Sequence, residues 1–147
     1  MRKKKGYSPY RKGKYYEYRL AQELKKEGFF VVRSPASGRR GQKLIYPDII
    51  AIYRGKACLI ECKMLGDKRN VSISRSQFER MLKMKKESGC PFFLFIYYKD
   101  IGEWRGLPVE AFDWETASFV VFSRHSIIKK GITPHELKEF LESESFR

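Results

Sequence analysis

The 147-residue chain reads as an α/β protein, a central mixed β-sheet flanked by helices, on three observations. Amphipathic helical stretches and strand-like runs follow one another in the order α-β-β-β-α-β. Two apolar runs in the middle of that order are joined by Arg54-Gly55, a short turn that closes a β-hairpin. Phe92 to Tyr98 is an unbroken apolar and aromatic run, the pattern of a strand buried on both faces. A chain of this length buries enough surface for one domain without disulfides or metals as staples.

Taken in order, residues 1–10 form a basic arm with too little apolar content to pack, and residues 11–147 form the folded domain. A first helix is predicted from Lys12 to Glu27, ended by Gly28, and a strand from Phe29 to Arg33. Ser34 to Pro47 carries Pro35, Gly38, Gly41 and three cations, which predicts a mobile basic loop. The hairpin arms are Ile49 to Tyr53 and Ala57 to Met64. Gly66 to Ser72 is a polar connection, and Ser74 to Ser88 is a helix with Phe78, Met81 and Leu82 on one face. Gly89 and Pro91 stop it before the buried strand. Beyond Tyr98, Trp104 to Phe112 and Phe119 to Phe122 read as extra strands, and Thr133-Pro134-His135-Glu136 is a capping box that starts a C-terminal helix.

Lys and Arg total 31 against 17 acidic residues, a formal net charge of +14. The excess is lopsided, since residues 1–43 hold 14 of those bases and only Glu17, Glu23 and Glu27 as acids. A polyanion is the expected partner, and nucleic acid suits it better than a membrane because the basic arm has no apolar stripe. No apolar run reaches the roughly 18 residues of a membrane span, and a cytoplasmic protein is expected. Cys58 and Cys62 lie four apart on one strand, about 13 Å, too far to bridge, and read as reduced core residues.

The chemistry is concentrated in the hairpin. With Arg54-Gly55 as a two-residue loop, Tyr53 pairs with Lys56, and counting outward brings Asp48 opposite Glu61, with Lys63 on the same face. Two carboxylates on facing strand positions repel unless a cation lies between them. Glu-x-Lys occurs three times, at Glu23, Glu61 and Glu136, but the outer two fall on helices, where i and i+2 do not face each other. Glu17 shares a helical stripe with Leu20, Ala21, Leu24 and Gly28, so it sits on the apolar face of the first helix. A buried carboxylate there needs either a salt bridge, to Arg33 or Lys63, or a metal. Three carboxylates with water make a hard oxygen site that suits Mg²⁺ or Mn²⁺ rather than zinc.

These residues resemble the archaeal-type Holliday junction resolvases, within the PD-(D/E)xK nuclease superfamily with its restriction-endonuclease-like αβββαβ core. The resemblance covers Tyr10 to about Tyr98 and rests on Tyr10-Arg11-Lys12-Gly13 before Glu17, Gly28-Phe29-Phe30-Val31-Val32-Arg33-Ser34, Pro47-Asp48, and Ile60-Glu61-Cys62-Lys63. It implies metal ligation by Glu17, Asp48, Glu61 and the Cys62 backbone carbonyl, with Lys63 aiming the attacking water and Arg33 contacting the cut strand. Gln77 is a further candidate, because related nucleases place a glutamine on this helix, although Ser74-Arg75-Ser76-Gln77 is also a capping box. Two departures stand out: Tyr18 occupies a position that is often arginine, and the loop from Ser34 to Pro47 is long, with Ser34 or Ser37 able to reach the metal site or a phosphate.

The implied activity is Mg²⁺- or Mn²⁺-dependent cutting of four-way DNA junctions. Arg11, Lys12, Lys14, Arg39, Arg40 and Lys43 are the expected phosphate contacts, which supply affinity rather than sequence choice. Symmetric cutting takes two incisions, so a twofold homodimer is expected. The competing readings are a nuclease of the same superfamily acting on linear or damaged duplex, and a non-catalytic basic DNA-binding module. Origin in a cell or in a virus acting in host cytoplasm is open.

Overall fold

A computed structural model describes residues 9–35 and 45–143, with side chains from Gly13 onward in the first segment. The elements are α1 (Pro9–Lys26), β1 (Phe30–Arg33), β2 (Ile49–Tyr53), β3 (Lys56–Leu65), β4 (Val71–Ser74), α2 (Arg75–Ser88), β5 (Phe92–Tyr98), β6 (Glu103–Pro108), a 3-10 turn (Val109–Ala111), β7 (Trp114–Glu115), β8 (Phe119–Phe122), α3 (Arg124–Lys130) and α4 (Pro134–Ser143). Five strands form a mixed sheet in the order β1-β2-β3-β5-β6, with β3 and β5 parallel and the other pairs antiparallel. A second sheet, β4-β8-β7, is antiparallel throughout.

The hairpin register is the one counted from the sequence: Tyr53 faces Lys56 and Ile49 faces Ile60. Arg54 and Gly55 both take positive φ, 49° and 82°, the two left-handed residues that a tight hairpin turn requires. All seven residues of β5 are buried, as a strand covered on both faces must be.

One face of the five-stranded sheet packs against α1 and α4 through Leu20, Leu24, Ile49, Ile60, Phe93, Phe95, Leu137 and Leu141. The other packs against α2, α3 and the small sheet through Leu59, Phe78, Met81, Leu94, Val120, Phe122 and Ile127. Burying a side chain of this size stabilises by about 1.5–3 kcal/mol, so these two layers hold the hairpin in place.

Several elements depart from the sequence expectation. Helix α1 begins at Pro9 rather than Lys12, because proline at the first helical position needs no amide partner. Val71-Ser72, expected as the end of a polar connection, and Ser74, expected as the start of a helix, belong with Ile73 to strand β4: Val71 and Ile73 point into the core and Ser72 is exposed. Strand β6 stops at Pro108, and a 3-10 turn replaces the rest of the expected Trp104–Phe112 strand. Helix α3 has no counterpart in the sequence expectation; Ser123 caps it by accepting from the Ser126 amide, a two-serine signal too short to read without its partners.

Candidate active site

The site is built around a notch in the sheet. Because β2 starts at Ile49, opposite Ile60, residues Glu61 to Leu65 of β3 are paired on the β5 side only, among the described residues. Asp48 sits at the lip, where its Oδ2 accepts the Cys62 backbone amide at 2.9 Å in place of a strand partner. The Asp48 carbonyl in turn accepts the Ser34 amide at 3.0 Å, which carries the β1–β2 ladder one step past Arg33.

Strand alternation puts Glu61 and Lys63 on the face that Leu59 and Leu65 share with α2. From the first turn of α2, Gln77 donates Nε2 to Glu61 Oε2 at 2.9 Å. Its backbone amide meanwhile donates to Ser74 Oγ at 3.2 Å. The cap therefore uses the Gln77 main chain, and the side chain turns to the carboxylate instead of reaching back to the Ser74 amide.

Glu17 arrives from α1, on the other side of the sheet. It is only 5% exposed, yet it is paired: Arg33 Nε donates to Glu17 Oε1 at 3.2 Å, and Lys14 Nζ lies 3.6 Å from Oε2. Arg33 also donates Nη2 to the Lys14 carbonyl at 3.3 Å, and its guanidinium lies 5.5 Å from the Tyr18 ring centre. Tyr18 is held in turn by Gln22 Nε2 at 2.8 Å. The salt bridge to Arg33 weighed from the sequence is thus present, and Tyr18, to which the sequence assigned no role, is the wall against which Arg33 stacks.

The electrostatics tie the two halves together. Burial, followed by the charge of Asp48, pushes Glu61 up to about 8. Asp48 is also raised by burial, while the Cys62 amide and the charges of Lys14 and Lys63 oppose the rise. The closeness of the two carboxyls disfavours charging both at once, and Glu61 is held toward its neutral form. Glu17 is raised by burial and then by Asp48, and held back by Lys14 and Arg33. The Cys62 thiol is pushed well above its usual range by burial and by the three carboxylates around it.

Two half-buried carboxyls too close to be charged together without cost are a fitting donor set for a hard divalent cation. Among the described residues no three His, Cys, Asp or Glu side chains are grouped so as to hold a metal unaided; Glu17 is drawn aside by Arg33 and Lys14. Of the other sequence candidates, Ser34 contributes its amide to Asp48. The side chains of Arg11 and Lys12 are not among those described, and Ser37, Arg39, Arg40 and Lys43 lie outside the described residues.

An αβββαβ core whose central hairpin brings Asp48, Glu61 and Lys63 to one notch defines a fold of the restriction-endonuclease-like class. The chain belongs to the archaeal Holliday junction resolvase (Hjc) family, whose model matches residues 8–145. It is 36% identical over 83 residues to the crossover junction endodeoxyribonuclease Hjc of Sulfolobus acidocaldarius, 56% of this chain and 57% of that one. It is also 36% identical over 95 residues to a crossover junction endodeoxyribonuclease of Sulfolobus islandicus rod-shaped virus 1, 59% of this chain and 72% of that one. The chain thus spans little more than half the length of the cellular relative it matches. The solved structure of Archaeoglobus fulgidus Hjc, a Holliday junction resolvase, superposes with a TM-score of 0.74 at 24% identity, covering 86% of this chain and 99% of that one.

Proposed function

We propose that this chain is a metal-dependent endonuclease that resolves four-way DNA junctions. The observation that carries the reading is the half-buried Asp48–Glu61 pair, held by the Cys62 amide and by Gln77 at a notch open on one side of β3. Asp48, Glu61 and the Cys62 carbonyl would hold Mg²⁺ or Mn²⁺, with Glu17 as the third carboxylate once Arg33 turns to a phosphate. A bound divalent ion supplies Lewis acidity and an acidified water for in-line attack on a phosphodiester.

The chain's own residues do the rest. Lys63, on the face of Glu61, helps deprotonate or aim the water and offsets charge at phosphorus. Arg33, pre-set by Glu17, the Lys14 carbonyl and Tyr18, contacts the non-bridging oxygens of the cut strand. Gln77 holds the Glu61 carboxylate in place. Lys14, with Arg11, Lys12, Arg39, Arg40 and Lys43, binds phosphates along the arms. Ser34 fixes Asp48 through its main chain, and Ser37 is assigned a supporting phosphate contact. Paired cuts in strands of like polarity require two such sites, so the working unit is a twofold homodimer acting on DNA in the cytoplasm. No described helix is long and apolar enough to cross a membrane.

The test is incubation of wild type and Glu61→Gln with a synthetic four-way junction and Mg²⁺. Wild type nicks symmetrically, and the variant binds without cutting. Equal cutting of linear duplex would favour a restriction- or repair-type nuclease, and binding without Mg²⁺-dependent cutting by wild type and variant alike would leave only a basic DNA-binding module.

A further inference from the structure

We propose that the outer face of the β7–β8 hairpin is a stacking platform for unstacked nucleobases next to the cut site, with Trp114 and Phe119 as its two rings. The inference rests on the nuclease reading for its substrate and on separate residues for its evidence. In the small sheet, Ile73, Val120 and Phe122 point into the core, so by strand alternation Ser72, Ser74, Phe119 and Trp114 share the opposite face. Trp114 lies opposite Val121 and Phe119 two residues along, which makes the rings diagonal neighbours about 7–8 Å apart. They remain 47% and 46% exposed.

The platform is rigid and adjoins the site. Thr116 Oγ1 accepts the Ser118 and Phe119 amides at 3.3 and 3.0 Å, and the Thr116 amide donates to the Phe119 carbonyl at 2.7 Å. Arg75, the first residue of α2, clamps the tip: its amide donates to the Ser118 carbonyl at 2.9 Å and its Nη2 to the Thr116 carbonyl at 2.8 Å. It also pairs with Glu115 at 3.5 Å. Phe119 pairs with Ser74, the N-cap of α2, and Gln77 one turn further donates to Glu61. A strand spacing of about 5 Å and a helical turn of about 5 Å put the Phe119 backbone within roughly 10 Å of Gln77, the residue that holds Glu61.

The surroundings favour bases over a second protein copy. Half-exposed rings offering about 200 Å² together fall far short of the roughly 800 Å² per partner of a stable interface. Around them stand the hydroxyls of Ser72, Ser74, Thr116 and Ser118 and the Arg75 guanidinium with its partner Glu115, a polar rim that suits stacked bases better than an apolar partner surface. Bases inside a duplex already stack on their neighbours. At a branch point a base lacks one neighbour, and a preorganised aromatic ring can replace it, giving selectivity for branched DNA without base-edge contacts.

The test reads binding in a Glu61→Gln background, so that loss of stacking is measured separately from loss of cutting. Trp114→Ser and Phe119→Ser are expected to weaken binding to a four-way junction by about 5- to 100-fold, with less than about twofold change on linear duplex of equal length and unchanged melting temperature. Phe119→Tyr should restore binding. Trp104 is 2% exposed, so iodide quenching of tryptophan fluorescence reports Trp114, and junction but not duplex should shield it. Equal losses on both DNAs, no loss on either, or conversion of a dimer to monomers by the serine variants would overturn the proposal.

Discussion

Neutralising Glu61 should stabilise the metal-free protein while abolishing its chemistry, and the stabilisation should depend on pH. In the unfolded chain Glu61 ionises near 4.5, and in the folded chain near 8. Between those values the native state retains a proton that the unfolded state has released, so stability is greatest at the acid end and falls as pH rises through the interval. At about 1.4 kcal/mol per pH unit, crossing the interval costs up to about 5 kcal/mol. Glu61→Gln removes this cost, because a glutamine there can donate to Asp48 and accept from Gln77 as the protonated acid does. For a chain of this length 1 kcal/mol moves the melting temperature by roughly 3 °C. The variant should therefore melt within about 2 °C of wild type near pH 5 and roughly 6–15 °C above it near pH 9, in the presence of a chelator. Circular dichroism melts at several pH values test this. Mg²⁺ at a hundred times its Kd should then add about 2.7 kcal/mol to wild type near pH 9 and far less to the variant. A difference independent of pH, or a variant less stable than wild type near pH 9, would refute the reasoning.

Gln77→Ala withdraws a donor that favours ionised Glu61, so the acid limb of the pH–rate profile should move to higher pH, with activity near neutrality falling roughly tenfold and recovering in alkali. Gly106→Ala would set a Cβ 2.5 Å from the Phe95 ring, and Phe95 is fully buried, so thermal melts should show a loss of about 1–3 kcal/mol. Replacing Arg39, Arg40 and Lys43 together with alanine should weaken junction and duplex binding alike. It should also flatten the slope of log affinity against log salt by about 0.9 for each phosphate no longer neutralised, as filter binding over a salt series would show.

What one strand and its neighbour decide was readable from residue order alone. The turn at Arg54-Gly55 and strict alternation set the pairing of Tyr53 with Lys56, and from it the approach of Asp48 to Glu61, because register propagates two residues at a time from a closed turn. The helix stripe that buried Glu17 and the seven-residue β5 were local patterns of the same kind. Tertiary packing alone decided the rest. Whether Gln77 capped its own helix or reached Glu61, which cation took Glu17, and that Val71 to Ser74 would become a strand all depend on partners far along the chain, Phe119 to Phe122 in the last case. Short segments carry too little periodicity to declare themselves, and long-range contacts form only where the whole core brings their partners together.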